Sequence, residues 1–176
     1  VVEPIANYNV LVLDQRFNKN SSVSLVNSNV TRNGEYRDAN VSAVVWDLNT
    51  KKNTFNLDGN IEYSYINELA NAEDKKGYLS SLSFGKTSGK HRFRIGGDYV
   101  SNDFDKNDLG VNFQTHYHSL YGNTSYRILK PNALFNEFNT NLNFYSEYDN
   151  RTGKLQAGTA NLAFNITNKK NDYLGF

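Results

Sequence analysis

Two histidines, His116 and His118, are the side chains of this sequence whose type and spacing point most directly to chemistry. Residues two apart share one face of a β-strand, so the two imidazoles could bind a metal ion together or supply a general base. A zinc site requires a third and a fourth ligand at close range. His91 is expected at a tight turn, and the nearby carboxylates belong to a predicted loop, at Asp103, Asp105 and Asp108. We therefore predict no metal site.

Motifs for other kinds of catalysis are missing from the sequence. The chain contains no cysteine, which excludes a thiolate nucleophile, a thiolate metal site and a disulfide framework. It has no G-x-S-x-G elbow, no phosphate-binding loop and no dinucleotide-binding fingerprint. The loop that begins at Asn102 lacks the glycine and the glutamate of a calcium-binding loop. We expect a non-enzymatic protein without a cofactor. The alternative is a membrane-barrel hydrolase with His116 or His118 as its base.

Apolar and polar residues alternate with a period of two along most of the chain, which predicts an all-β protein. No window longer than two helical turns keeps an apolar stripe. The composition agrees, because 28 asparagines, 12 tyrosines and 11 phenylalanines favour strands and polar turns over helices. The predicted strands are residues 7–17, 20–31, 40–50, 53–67, 77–87, 90–101, 112–128, 136–148 and 153–167, with a last strand that begins near 172.

The predicted strands are long, and their connections alternate in length. Many reach ten residues or more, whereas globular strands average about 5–6 residues and a tilted strand needs about 9–11 to cross a bilayer. Outer-membrane barrels have short turns on one side and longer loops on the other. We therefore predict an antiparallel up-and-down transmembrane β-barrel. The predicted short connections are residues 18–20, 50–52, 87–90, 129–135 and 168–171, and the longer ones are 31–40, 67–77, 101–111 and 147–153.

The two faces of the predicted strands differ in polarity. In strand 53–67 the apolar face has an aromatic residue at one end, aliphatic residues in the middle and tyrosines at the other end. Aromatic girdles around an aliphatic band are typical of the lipid-facing surface of a membrane barrel. The residues predicted to face lipid are Phe55, Leu57, Ile61, Tyr63, Phe93, Ile95, Leu142, Phe144, Leu162 and Phe164. Those predicted to face the lumen are Asn56, Asp58, Asn60, Glu62, Arg92, Arg94 and Asp98.

We interpret residues 1–176 as one domain, a segment of a transmembrane barrel with about nine full strands and the start of a tenth. Bacterial barrels have an even number of strands, and an open edge in lipid would leave backbone groups unpaired. We therefore expect the segment to be only part of the full barrel. The first strand departs from the pattern, because residues 10–13 are apolar on both faces, which suggests contact with a plug, a partner or a further domain.

Two other all-β architectures are compatible with alternation. A soluble sandwich alternates because one face of each sheet lies in the core and the other in water. A repetitive fibre or solenoid is the remaining alternative. The barrel is favoured for two reasons. Packing in a sandwich core does not require aromatic side chains at the strand ends, and the polar face of a long sandwich strand normally carries more Thr, Lys and Glu than asparagine, whereas here asparagine is the more frequent.

Six stretches of the sequence stand out in their order and spacing: residues 7–11, 20–23, 77–78, 84–90, 107–110 and 121–127, with the sequences NYNVL, NSSV, GY, FGKTSGK, NDLG and YGNTSYR. Taken together, they resemble a Bacteroidota outer-membrane family. The resemblance spans essentially all 176 residues. It implies a secretion signal, an N-terminal domain similar to family 9 carbohydrate-binding modules, and a long C-terminal barrel region of unknown function within which this segment falls. It implies no catalytic residues.

The expected function follows from these patterns and from the resemblance. We expect an integral outer-membrane barrel that anchors, or is a subunit of, a cell-envelope assembly. The alternatives are a pore or uptake channel, and a secreted carbohydrate-binding β-sandwich. The expected partners are outer-membrane lipid and other envelope proteins, with a glycan as a further candidate. The net charge of +1 gives no reason to expect nucleic acid as a partner.

Overall fold

The computed structural model describes residues 4–68, 72–110, 115–128 and 130–176, and in this part of the chain all regular structure is β-strand. Ten strands form one antiparallel sheet in which each strand pairs with its neighbours in sequence. In these residues no helix is long and apolar enough to cross a membrane. The strands are β1 (Ala6–Phe17), β2 (Ser21–Arg32), β3 (Asp38–Asn49), β4 (Phe55–Asn67), β5 (Lys75–Lys86), β6 (His91–Val100), β7 (Tyr117–Ile128), β8 (Phe135–Asp149), β9 (Leu155–Asn168) and β10 (Tyr173–Gly175).

The structure confirms the all-β prediction and the up-and-down order of the strands. The sheet is open, because β1 and β10 lie at its two edges and do not pair with each other. The prediction that residues 1–176 do not close a barrel by themselves is therefore confirmed. The chain forms a single sheet, whereas a sandwich requires two sheets packed face to face.

Two details of the predicted strands are wrong. The seventh strand begins at Tyr117 and not at 112, and residues 112–114 lie outside the described residues. His116 precedes this strand with a positive φ of 56°, which no regular strand allows. The connections 33–37 and 150–154 are no longer than the turn at 50–54, because paired strands extend into the predicted long loops. The predicted contrast in length therefore fails at these two connections.

Residues with positive φ shape the tight turns at one end of the sheet, which we call the turn end. Asn18 and Lys19 both have positive φ in the three-residue connection between Phe17 and Ser21. Gly89 and Asn171 have the same left-handed backbone in two other turns of this end. We call the opposite end, where β6 continues into residues 101–116, the loop end.

The two faces of the sheet are distinguished by the connection that follows β6. Residues 101–110 fold back across one face, which we call the inner face, and contact residues of β2 to β5. The opposite face is the outer face. On β4 the inner side chains are buried or half-buried, whereas Phe55, Ile61 and Tyr63 on the outer face are exposed.

The apolar core lies under this connection and is small. In the described residues the buried apolar side chains are Val30, Ala39, Ile66, Val100 and Phe104. Leu109 packs against the cluster of Val30, Ala39 and Ile66. Gly77 makes the close approach possible, because a Cβ there would overlap the backbone nitrogen and Cα of Phe104.

The total surface shows how little of this chain is core. The chain exposes 11824 Å², whereas a soluble monomer of 20.0 kDa is expected to expose about 8,700 Å². Much of the excess is apolar, since half-exposed aliphatic side chains line the outer face. A single sheet of this kind requires something outside it to cover its apolar surface.

The contact between Gly77 and Phe104 gives a testable prediction. Gly77→Ala should reduce the free energy of unfolding by about 1–3 kcal/mol, because backbone atoms cannot rotate away from the new methyl group. Equilibrium unfolding in urea measures this change. The matched control is Gly110→Ala, whose Cβ would meet, among the described residues, only the Lys106 carbonyl oxygen, at 3.9 Å. Equal destabilisation by the two substitutions would contradict the proposed packing.

Candidate functional site on the inner face

A network of polar side chains joins β3 to β6 on the inner face near the turn end. Asn56 donates hydrogen bonds from Nδ2 to Asp47 Oδ1 at 2.6 Å and to Asn49 Oδ1 at 3.2 Å. Asn49 donates a second hydrogen bond to Asp47 Oδ1 at 2.8 Å. The carboxylate of Asp47 therefore accepts hydrogen bonds from two side-chain amides.

Arg94 connects this network across β5. Its Nη2 donates hydrogen bonds to Asn56 Oδ1 at 2.7 Å and to Asp58 Oδ1 at 2.6 Å. Ser83, on the strand between them, also donates to Asp58 Oδ1, at 3.0 Å. Gly85 is the register partner of Arg94, and its missing side chain leaves room for the guanidinium to reach β4.

An open concavity of about 540 Å³ lies beside this network. Its polar lining consists of carboxylate, amide, hydroxyl and guanidinium groups, which suit water or a polar solute. In the described residues no cluster of three or more His, Cys, Asp and Glu side chains could hold a metal ion. The polar lining residues are Asp47, Asn56, Asp58, Asn60, Ser81 and Arg94.

Residues 101–110 cover the inner face nearer the loop end and are held there by ion pairs. Arg32 donates a hydrogen bond to Asp108 Oδ1 at 2.7 Å, and Arg37 Nη2 forms an ion pair with Oδ2 at 2.7 Å. Lys106 Nζ lies 3.3 Å from Glu62 Oε2. The Asp108 carboxylate is therefore occupied by two arginines, which argues against the calcium interpretation of this loop.

The register places all seven polar residues predicted for the lumen on the inner face. Asn56, Asp58 and Arg94 belong to one network, and Asn60 donates to Glu62 at 2.9 Å. The other two lie apart: Asp98 accepts a hydrogen bond from Ser119, and Arg92 bonds the Gly89 carbonyl at the turn end.

The outer face carries the ten residues predicted to face lipid. Near the turn end, aromatic rings contact one another across strands: Phe55 and Phe84 have centroids 5.8 Å apart, and Phe84 and Phe93 6.0 Å. Near the loop end, Tyr78 stacks on Tyr99 at 5.5 Å and His118 on Tyr148 at 5.2 Å. Between these two rows lies one half-exposed aliphatic residue from each of β4 to β9: Ile61, Leu82, Ile95, Leu120, Leu142 and Leu162.

The two histidines do not share a strand face. His118 lies on the outer face of β7, and its Nδ1 is 2.6 Å from Asn150 Oδ1. His116 lies before β7, with Nδ1 2.9 Å from Thr115 Oγ1 and Nε2 3.8 Å from Asp149 Oδ2. The predicted shared face is wrong because the chain turns at His116. Among the described residues neither ring has a hydrogen bond to a serine.

A family model described as "Domain of unknown function (DUF5916)" matches residues 1–176. The chain belongs to this family. The match extends over the whole chain, as the resemblance from sequence implies, and it carries no activity with it. No curated protein matches the chain, and no solved structure matches it.

Sequence analysis missed several inner-face residues. Asp47 and Ser83 belong to the polar network, but each was one polar residue among many in its strand. The inward fold of residues 101–110 also escaped prediction. Phe104, the only aromatic residue in that polar stretch, was the signal that could have predicted this fold. An isolated aromatic ring in a polar loop is usually buried against apolar neighbours.

The Asp108 ion pairs give a second prediction. Asp108→Asn should reduce the free energy of unfolding by roughly 3 kcal/mol, because it leaves Arg32 without its counter-charge in a nearly buried site and leaves Arg37 only the longer ion pair with Glu68, at 3.8 Å. It should also increase proteolysis within residues 101–110. Urea unfolding and limited proteolysis measure the two effects.

The control for Asp108→Asn is Asp14→Asn. Asp14 pairs with Arg16, whose side chain is 85% exposed, and an asparagine could still accept the hydrogen bond from Ser24, so this substitution should destabilise the fold much less than Asp108→Asn. If the two variants unfold at the same urea concentration, the ion pairs of Asp108 do not hold the connection in place.

Proposed function

We propose that this chain is part of an integral outer-membrane β-barrel that anchors, or is a subunit of, a cell-envelope assembly. The outer face supports this proposal, because a continuous aliphatic band lies between two rows of aromatic rings. Lipid would cover that band, and the tyrosines would lie at the headgroups, where an amphipathic ring is favoured. The resemblance to a Bacteroidota outer-membrane family supports the location.

The dimensions of β4 are consistent with a bilayer. Ten residue steps separate Phe55 from Tyr65, which at about 3.3 Å per residue is roughly 33 Å along the strand. A tilt of about 40° reduces this to about 25 Å along the membrane normal, close to the apolar band of outer-membrane barrels. Because backbone groups in lipid must be paired, the proposed barrel also needs strands beside β1 and β10, from the same protein or from a partner.

An anchor or subunit is favoured over a pore by the contents of the inner face. Two ion pairs lie there, Arg94 with Asp58 and Lys106 with Glu62, and residues 101–110 fill part of the space. The carbohydrate-binding-like module implied by the resemblance makes a glycan a candidate ligand of the whole protein. Since neither the His116 ring nor the His118 ring has a hydrogen bond to a serine among the described residues, we propose no catalytic role for them.

A pore or uptake channel is the second candidate, and the concavity beside Arg94 favours it. Its mixed carboxylate, amide and guanidinium lining would suit passage of a polar solute. Planar-bilayer recordings of the purified full-length protein separate the two functions. An anchor should show no steady open-channel current, whereas a stable conductance that changes with Arg94→Gln would establish the pore.

The lipid-facing assignment gives a third prediction. Ile61→Arg should reduce the stability of the membrane-inserted protein by roughly 2–4 kcal/mol if Ile61 lies near the bilayer centre. Asn60→Arg, one residue away on the inner face, should have little effect. Urea unfolding of the full-length protein in lipid vesicles measures both. Equal tolerance at the two positions would contradict the assignment of the faces.

A further inference from the structure

An open cleft of about 390 Å³ lies at the turn end of the sheet, where β6 begins and β7 ends. Arg92 and Arg127 share the inner face there, because Arg92 pairs in register with Ser125, two residues before Arg127. The backbone nitrogen of Arg127 donates a hydrogen bond to the Lys90 carbonyl oxygen at 2.9 Å, which joins the end of β7 to the turn before β6. We call this space the basic cleft, and it is lined by Gly89, Lys90, Arg92, Arg127, Ile128 and Lys130.

The two arginines and two lysines of the basic cleft have no counter-charge in the described part of the chain. No acidic side chain among the described residues lines the cleft, and none forms an ion pair with its four cations. Arg92 Nε donates a hydrogen bond to the Gly89 carbonyl oxygen at 3.2 Å, which is a neutral acceptor. Glu137 of β8, at the same end of the sheet, lies outside the lining. All four cations are exposed, so their charge is available to an anion from solution.

The basic cleft belongs to an end of the sheet that is basic as a whole. Each of the five connections at the turn end contains lysine, and Asp172 is the single acidic residue in their sequences. The net charge of +1 is therefore unevenly distributed, and the field of the neighbouring lysines adds to that of the cleft. The lysines of these connections are Lys19, Lys51, Lys52, Lys90, Lys130, Lys169 and Lys170. At the loop end, by contrast, four cations pair with carboxylates: Arg32, Arg37, Lys75 and Lys106.

The composition of the basic cleft suits phosphate better than carboxylate. A phosphate monoester carries up to about two negative charges and three strong acceptor oxygens, so several cations can share it. A carboxylate carries one charge on two oxygens. The guanidinium group of arginine matches phosphate with paired donors, and the ammonium group of lysine adds a point charge. The four unpaired cations of the cleft exceed the charge that a single carboxylate would neutralise.

We propose that the basic cleft binds a phosphate group, whose oxygens accept hydrogen bonds from the two arginines while the two lysines contribute charge. The phosphate belongs either to the headgroup of an anionic phospholipid or to a soluble phosphate ester, since both present the same chemistry to the cleft. The site does not depend on the proposed barrel, because it is formed by β6, β7 and the connections beside them alone.

Binding measurements on the purified full-length protein in uncharged detergent test this proposal. In one arm, inorganic phosphate is titrated and followed by calorimetry, in about 0.15 M sodium chloride so that weak long-range attraction is screened. In the other arm, phosphatidylglycerol or the zwitterionic phosphatidylcholine is added in mixed micelles, and native mass spectrometry counts the lipids that stay bound. The test variant is the pair Arg92→Gln and Arg127→Gln. The matched control is the pair Lys51→Gln and Lys52→Gln, which removes the same charge from another connection of the turn end, outside the cleft.

The arginine pair should weaken binding of the active probe roughly tenfold or more, because charge-assisted hydrogen bonds are lost. The lysine control should weaken it less than about twofold, because exposed charges at a distance contribute little. Binding of inorganic phosphate would identify a soluble ester as the source, and preferential retention of phosphatidylglycerol would identify a lipid headgroup.

Two results would overturn the proposal. One is absence of phosphate binding together with equal retention of the two lipids, and the other is equal weakening by the arginine pair and the lysine control. Urea unfolding shows whether the arginine variant is folded. If it is not, the pair Lys90→Gln and Lys130→Gln removes two charges from the same cleft, and its effect must again exceed that of the control.

Discussion

The structure depends on how a single-layered sheet of ten strands keeps its apolar side chains out of contact with water. A folded domain ordinarily buries the apolar face of a sheet against a second layer. Here the described residues provide no second layer beyond residues 101–110, and those cover a core built around Val30, Ala39 and Ile66. The hydrophobic effect, which dominates folding, must therefore act largely between this sheet and something outside it. Lipid on the outer face is the covering that we propose.

Many polar groups of the inner face are paired with one another, although Asn60 Oδ1 and Asn139 Oδ1 are buried without a hydrogen-bond partner among the described residues. Asparagine is useful there because its amide both donates and accepts, so Asn49 and Asn56 can bridge carboxylates without adding charge. Arg94 and Lys106 neutralise Asp58 and Glu62 across strands. Such pairing removes most of the cost of enclosing these groups, whether the enclosed space is filled or wet.

Sequence analysis predicted the features that follow from local sequence pattern, and it missed those that depend on contacts between residues far apart in sequence. The period of two predicted the strands and the face of each residue on β4, because one apolar surface requires a fixed register. It could not predict that residues 101–110 turn inward, since the Arg32–Asp108 pair joins residues 76 apart in sequence. It also missed the positive φ of His116, a residue after which β7 begins later than predicted and which is separated from the strand face of His118. The unusual first strand was visible in the sequence, but only the register placed its valines beside a cluster that is already covered.

Lipid contact of the outer face is the central claim, and site-directed spin labelling of β4 tests it most directly. Nitroxides would be attached one at a time at residues 55–65 of the full-length protein in lipid vesicles, with any other cysteines replaced. Collision with oxygen, which concentrates in lipid, should be greatest at Leu57, Ile61 and Tyr63. Collision with a water-soluble nickel chelate should be greatest at Asn56, Asp58 and Asn60, so that the two profiles alternate out of phase. High accessibility to the nickel chelate on both faces, or loss of the alternation, would contradict a lipid-facing outer surface.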